Sequence, residues 1–215
     1  MSEIAKSISE DGVSRARIVP VGGVIKRLTD VVLAVCAIGL MLPLLVFCAV
    51  AIFLASGGGV IARHRRVGFR GRIFDCLKFE ISAPNQTSSN VNCTERGLAV
   101  EKQSGELRIT PLGALFRKAS IDELPQLFNV LRGDMSIVGP QPISDDQLSE
   151  YADQAAAYLS CKPGITGLWQ VHDEASDMER VSLDCAVYSQ SWSPLLDAKI
   201  AISTLSAALG PTASR

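Results

Sequence analysis

The sequence has almost no net charge, because 21 lysines and arginines are balanced by 22 aspartates and glutamates across its 215 residues. Without a basic excess the chain lacks the electrostatic field that generic nucleic-acid binders use, and we predict no nucleic-acid partner. Aromatic residues are also scarce at 6%, but a hydrophobic share of 47% is far too high for a disordered chain. The length fits one domain with appendages.

Cysteine pairs and histidine clusters are missing as well. The six cysteines include no C-x-x-C pair, and two of them, Cys36 and Cys48, fall inside an apolar run. This spacing excludes a zinc ribbon and a disulfide scaffold. The two histidines, His64 and His172, are isolated in the sequence, so neither is assigned to a metal.

The longest uncharged stretch covers residues 31–55 and exceeds the roughly 20 apolar residues that a helix needs to cross a membrane. A cleaved signal is disfavoured, because its apolar part is only about 7–15 residues long and its charged lead-in is short. Pro43 stands at the centre of the run and predicts a kink. Basic residues flank both ends: Arg15, Arg17, Lys26 and Arg27 before it, and Arg63, Arg65, Arg66, Arg70 and Arg72 after it.

These flanks decide between two kinds of anchor. Basic flanks stay on the cytoplasmic side of a membrane, so a straight span would violate this rule at one end. A helix broken at Pro43 that enters the bilayer and returns satisfies the rule at both ends, and we favour this re-entrant form. An ordinary single-pass anchor with a proline kink is the alternative.

The remaining chain divides around this run. Residues 1–22 are a predicted loose tail, 23–60 the membrane-embedded anchor and 61–210 a cytoplasmic domain, with a flexible insert at 82–105 that is rich in Ser, Asn, Thr and Gln. Glycines at 68 and 71 predict a strand, a turn and a second strand within 61–79. A short apolar strand running into a rigid turn over 136–142, a helix over 144–160 and a Gly/Pro-rich loop at 162–169 follow. From Ser193 and Pro194 we predict a capped final helix whose apolar stripe packs on the core or lies on a bilayer. The stripe consists of Leu195, Ala198, Ile202, Leu205 and Leu209.

Two adjacent carboxylates, Asp122 and Glu123, precede a predicted helix. Four apolar side chains recur along one face of that helix, which Gly133 ends: Leu124, Leu127, Phe128 and Leu131. Pro125 is harmless only in a first helical turn, so the helix should begin at or next to Asp122. The pair would then lie at the positive end of the helix dipole, where a phosphate can also bind.

This pair of residue types allows phosphoryl chemistry. A carboxylate can attack phosphorus, and a second carboxylate can hold Mg²⁺ that neutralises phosphate oxygens. Lys78, Arg117 and Lys118 are the nearest candidates for pairing with phosphate charge. A structural role is the alternative, since Asp122 could cap the helix and Ser120 with Glu123 matches a capping box.

The whole sequence resembles the bacterial sugar transferases, also called monotopic phosphoglycosyl transferases, and is most similar to their exopolysaccharide-initiating branch in rhizobia. The similarity covers about residues 22–209. The motifs that carry it are KRLTD at 26–30, LKF at 77–79, RKASIDELPQL at 117–127, GDMSIVGP at 133–140 and KPGITGLWQV at 162–171.

The resemblance implies a small, helix-rich α/β domain at the cytoplasmic face of the bacterial inner membrane, on a re-entrant helix-break-helix anchor with surface amphipathic helices. It implies that Asp122 attacks the β-phosphate of a UDP-sugar and expels UMP, and that undecaprenyl phosphate then takes the phosphosugar, expected to be galactose-1-phosphate, to initiate exopolysaccharide synthesis. Glu123 would be the Mg²⁺ ligand, and Lys78, Arg117 and the residue at 141 would bind phosphates. Membrane lipid and polysaccharide-assembly proteins are the implied partners.

Three positions depart from the pattern of that family. Glu80 and Gln141 stand where family members usually have arginine, and residues 172–174 read His-Asp-Glu instead of Ser/Thr-Gly-Arg. Each lost charge-assisted pair to a phosphate costs about 1.5–3 kcal/mol. The alternative hypothesis is therefore a degenerate, weakly active or inactive paralogue that modulates polysaccharide synthesis by binding the membrane or a partner enzyme.

Overall fold

The computed structural model describes residues 19–56, 58–81, 111–118, 120–150, 155–171 and 178–209. Two-stranded sheets lie among helices, which confirms a helix-rich α/β domain. The predicted insert at 82–105, most of the predicted tail and the segment 172–174 lie outside the described residues.

The helices are α1 (Gly23–Ser56), α2 (Pro111–Lys118), α3 (Gln126–Arg132), α4 (Asp145–Glu150), α5 (Ala155–Leu159), α6 (Leu168–Val171), α7 (Met178–Ser191) and α8 (Pro194–Leu209). The strands are β1 (Ile61–Val67), β2 (Ile73–Phe79), β3 (Ser136–Val138) and β4 (Gly164–Thr166).

Helix α1 contains the apolar run and continues through Pro43 as one 34-residue helix. Within the described ranges it is the one helix long and apolar enough to cross a membrane. A single stripe of it is buried against the domain, including Ala34, Leu45, Cys48 and Ile52. Most of its other large apolar side chains are exposed, so α1 presents a broad surface suited to lipid.

The first turns of α1 are fixed to the domain by polar side chains. Arg27 donates from Nη1 to Val130 O (2.5 Å) and from Nη2 to Leu131 O (2.8 Å), which satisfies the last carbonyl groups of α3. Buried Asp30 accepts hydrogen bonds from Ser136 Oγ (2.9 and 2.8 Å) and from the Ile137 N–H (3.0 Å). The basic and acidic residues of the 26–30 motif therefore hold α1 against α3 and β3.

Asp197 on α8 is a second attachment point for α1. Its carboxylate accepts from Lys26 Nζ (2.7 Å), Tyr188 Oη (2.8 Å) and Trp192 Nε1 (3.0 Å). Burial, with Asp197 adding to it, raises the pKa of Tyr188 far above its usual range, so the phenol stays neutral and remains a donor. Lys26 and Asp197 are both largely buried, and removing one partner of such a pair is strongly destabilising.

Strands β1 and β2 form the predicted antiparallel hairpin, in which Ala62 pairs with Lys78 and Val67 with Ile73. Its connection contains Arg70 in the left-handed region at φ 56°. Phe74 and Cys76 point to a core that also contains Leu127, Val130 and Met135. The hairpin thus carries Lys78 on the same sheet as the side chains that pack on α3.

Strands β3 and β4 pair in parallel. Their backbones approach each other closely at Gly139 and Gly164. A Cβ at Gly139 would overlap the backbone of residues 162–164, so only glycine fits there. The loop predicted at 162–169 is therefore wrong in part, because it contains β4 and the start of α6. The single helix predicted over 144–160 is two helices, α4 and α5, on either side of residues that lie outside the described ranges.

The final helix α8 begins at Pro194, as predicted, and Ser193 Oγ accepts the Leu196 N–H at 3.1 Å. The predicted stripe faces away from the core, since Leu195, Ile202 and Leu205 are all at least 60% exposed. Ile200 instead packs against the domain. Of the two predicted roles for the stripe, packing on the core is wrong, and an exposed apolar face that suits a bilayer is the one that remains.

Candidate active site

Asp122 and Glu123 lie on a 3₁₀ turn, Ile121–Glu123, rather than on the α-helix that the sequence predicts there. Helix α3 begins only at Gln126, after Pro125 at its N-cap, because proline fits the first turn but cannot lie deeper. Gly133 ends the helix at φ 96°, as predicted. The predicted apolar face is wrong at Phe128, which is 46% exposed, while Asn129 and Val130 are buried.

The backbone just before the acid pair is strained. Ser120 has φ 52° and ψ 23°, a left-handed conformation that costs a residue with a Cβ about 1–2 kcal/mol. Ser120 makes no side-chain capping bond, so the predicted capping box is not formed, and Asp122 occupies neither N-cap position. Backbone strain of this kind concentrates at functional sites. The geometry therefore favours a chemical role for the acid pair over a capping role.

Lys78 and Glu123 form an ion pair, with Lys78 Nζ 3.0 Å from Glu123 Oε1. Both side chains are largely shielded, at 13% and 17% exposure, and the adjacent Asp122 is 9% exposed. Two residues that the sequence predicts separately, as a phosphate ligand and a metal ligand, are thus brought together. Lys78 Nζ contacts the Glu123 carboxylate, and a lysine ammonium group is a point charge that can also bind phosphate oxygens.

Asn129 positions this pair, and the sequence analysis missed it. The buried amide accepts the Leu77 N–H at its Oδ1 (2.9 Å) and donates from Nδ2 to Asp75 O (2.7 Å). It thereby ties the edge of β2, next to Lys78, to the helix that follows the acid pair. The only sequence signal for it is a polar residue at a helix position adjoining buried ones.

Replacing Asn129 with leucine should lower both stability and activity. The substitution leaves a strand N–H and a strand C=O without partners, which costs about 1–3 kcal/mol for each buried group. It also frees β2 from α3, so the Lys78 to Glu123 distance is no longer fixed. Thermal unfolding and transfer rates in lipid nanodiscs measure the two effects.

Arg132→Gln is the matched control for Asn129→Leu. Arg132 is on the same helix, but it is 61% exposed and lies 3.8 Å from Asp134, a surface pair of little value. Its loss should leave both measurements nearly unchanged. An Asn129→Leu protein with unaltered stability would contradict the positioning role.

The other predicted phosphate ligands differ in their exposure to solvent. Arg117 on α2 is exposed, and Gln141 and Glu80 are half-buried, with Gln141 on the loop that leaves β3. Within the described ranges no cluster of three or more His, Cys, Asp or Glu side chains forms a ready-made metal site. Mg²⁺ commonly needs only one or two carboxylates together with substrate phosphates, and the donor set of Asp122 and Glu123 fits that demand.

Comparison with known proteins gives a consistent result. The family model described as "Bacterial sugar transferase" matches residues 21–211. The "Exopolysaccharide production protein ExoY" of Sinorhizobium fredii is 39% identical over 197 residues, which cover 87% of each chain. The "UDP-glucose:undecaprenyl-phosphate glucose-1-phosphate transferase" of Caulobacter vibrioides is 40% identical over 84% of this chain and 68% of its own. The "Undecaprenyl-phosphate galactose phosphotransferase" of Salmonella typhimurium is 39% identical over 78% of this chain and 36% of its own.

Proposed function

Because the chain belongs to the bacterial sugar transferase family, we propose that it is a phosphoglycosyl transferase that moves a sugar 1-phosphate from a UDP-sugar to undecaprenyl phosphate. The product would be the first lipid-linked sugar of an exopolysaccharide. Galactose-1-phosphate is the proposed group, because several of the relatives are named for galactose; one named for glucose matches to a similar extent. Relatives at this identity are named as transferases, so a non-catalytic modulator is the less favoured hypothesis.

One observation carries this proposal: the acid pair borders the apolar helix. Ile121 and Leu124, which flank the two carboxylates in sequence, pack in one cluster with Leu45, Cys48 and Ile52 of α1. A water-soluble donor and a lipid-borne acceptor can meet only at such a boundary. A buried nucleophile at this place suits a reaction whose second substrate remains in the membrane.

The proposed reaction has two displacement steps. In the first, a carboxylate oxygen of Asp122 attacks the β-phosphorus, the bond from that phosphorus to the bridging oxygen breaks, and UMP leaves with the electron pair. In the second, a phosphate oxygen of undecaprenyl phosphate attacks the same phosphorus and releases the Asp122 carboxylate. Lys78 stabilises the charge on the transferred phosphoryl group, and a covalent carboxylate intermediate divides one difficult transfer into two easier ones.

Glu123 is the residue that would hold Mg²⁺, together with phosphate oxygens of the donor. When bound, the ion supplies positive charge that neutralises those oxygens and favours departure of UMP. Lys78 contacts the same Glu123 carboxylate, so the lysine ammonium group and the proposed Mg²⁺ would share that carboxylate. Arg117, exposed on α2, is available to bind the donor from the solvent side.

A membrane-re-entrant anchor is supported by contacts of α1 with the domain on both sides of Pro43. Arg27 binds the end of α3, while Leu44 and Leu45 pack in one cluster with Leu124, just before that helix. Residues on both sides of Pro43 therefore pack on the same small domain, which suits an anchor that stays at one face of the membrane. We propose that this domain faces the cytoplasm at the inner membrane.

The test is turnover by the full chain in lipid nanodiscs containing undecaprenyl phosphate and Mg²⁺. Radiolabelled UDP-galactose, UDP-glucose, UDP-N-acetylgalactosamine and UDP-N-acetylglucosamine are supplied in separate reactions. We expect UMP release and label in the organic phase with UDP-galactose foremost. Label from another sugar would correct the substrate, and no lipid-linked label from any of the four would refute the proposed transfer.

A further inference from the structure

Arg66, on β1, is a buried cation for which the described residues supply no partner. The side chain is 8% exposed, and no hydrogen bond or ion pair reaches its guanidinium group from any residue that the structure describes. An ionised group is costly to bury without a partner, and arginine stays charged in proteins. A cation in this state is suited to receive an anion from outside the protein.

The sheet register places Arg66 on the same face as Lys78. Ala62 pairs with Lys78 and Arg66 pairs with Phe74, and strand positions two apart lie on one face. The two cations are separated by four residues of strand, or about 13 Å. Lys78 contacts Glu123 at its end of this face, and Arg66 lies at the other end, beyond the core residues Phe74 and Cys76.

The loop that carries Gln141 is held at the Arg66 end of the hairpin. Val67, the next residue on β1, donates its N–H to Ile143 O at 2.9 Å. Tyr158 Oη donates to Val67 O at 2.6 Å, which fixes the same end from a third element. Gln141 stands only two residues before Ile143. The loop that carries the uncharged Gln141 therefore reaches the end of β1 that carries Arg66.

No carboxylate on the hairpin can neutralise Arg66. Asp75 pairs with Arg65 and lies on the opposite face, and Glu80 follows β2 at the end that carries Lys78. The Arg66 side chain is 8% exposed, so it is not closed off completely from solvent.

From this arrangement we infer that Arg66 binds a phosphoryl group of a substrate. This inference rests on the proposed function and deepens it, because it adds a phosphate ligand that none of the sequence motifs assigns. The phosphoryl group belongs either to the nucleotide donor or to the polyprenyl acceptor, and both present the same chemistry to a guanidinium group.

The experiment separates binding from stability in the full chain held in nanodiscs. Arg66→Met, Arg66→Lys and the control Arg65→Met are compared with the unaltered protein, since Arg65 is exposed on the opposite face. Calorimetry gives Kd for UMP and UDP-galactose without turnover, titration of undecaprenyl phosphate gives its KM, and thermal unfolding without substrate gives Tm. For Arg66→Met we expect binding of one phosphate substrate to weaken about 10- to 100-fold. Its Tm should be equal or higher, because an unpaired buried charge has been removed.

The outcomes are distinct. Weaker UMP or UDP-galactose binding assigns Arg66 to the donor, and a higher KM for undecaprenyl phosphate alone assigns it to the acceptor; partial recovery in Arg66→Lys supports either. A lower Tm in Arg66→Met with all three substrate constants unchanged would overturn the inference and make Arg66 structural. If the unaltered protein binds none of the three, the proposed function fails together with this inference.

Discussion

Asp122→Asn is expected to abolish transfer, with a fall of at least about 10⁴-fold in the rate of UMP release, as when other covalent nucleophiles are removed. Asparagine has the same shape but lacks the anionic oxygen that attacks phosphorus. Asp122 is buried on a strained turn beside the Lys78 and Glu123 pair, so no neighbouring carboxylate can take its place without moving the backbone. Stopped reactions with donor alone measure both UMP release and a covalent phosphosugar on the protein.

The controls for Asp122→Asn separate chemistry from folding. Exposed Asp146 on α4 is the matched position, and Asp146→Asn should react like the unaltered protein. Asp122→Asn should still bind UMP and unfold at a similar temperature while forming no adduct. UMP release by Asp122→Asn at the unaltered rate would refute Asp122 as the nucleophile. Loss of UMP binding with lowered Tm would instead indicate a structural role.

The local features of this site could be predicted from the sequence because their signals are local. The adjacent acids, the proline after them and the glycine that ends α3 are all within a dozen residues, and Gly133 has the left-handed conformation that such an end requires. The hairpin also follows from the glycines at 68 and 71, which separate two short strands. The start of α3 was misplaced because a 3₁₀ turn and an α-helical turn accept the same residues.

Contacts across long sequence separations gave no such signal. Lys78 and Glu123 are separated by 45 positions and Lys26 and Asp197 by 171, and nothing in their neighbourhoods marks one as the partner of the other. Strand β4 was missed because three residues next to glycine and proline look like a loop until β3 pairs with them. The basic flank of the apolar run was interpreted through membrane topology alone, yet Lys26 and Arg27 also attach α1 to the domain.

Exchanging the charges of Lys78 and Glu123 tests whether their pairing is structural or chemical. Lys78→Glu and Glu123→Lys each place two like charges about 3 Å apart in a shielded site, so each single variant should lose stability and activity. The double variant restores an opposite-charge pair across the same gap. If the pair mattered only for folding, the double variant would recover both properties.

We expect the double variant to recover Tm but not activity, with transfer remaining at least about 100-fold below that of the unaltered protein. In the proposed reaction a positively charged side chain is needed at position 78, where it contacts the phosphoryl group. A carboxylate is needed at position 123, next to Asp122, to hold Mg²⁺. The exchange moves a cation next to the nucleophile and a carboxylate into the path of the phosphate. Its dependence on Mg²⁺ concentration should therefore weaken as well, which a purely structural pair would not cause. Full activity in the double variant, at the usual Mg²⁺ concentration, would contradict separate chemical roles for Lys78 and Glu123.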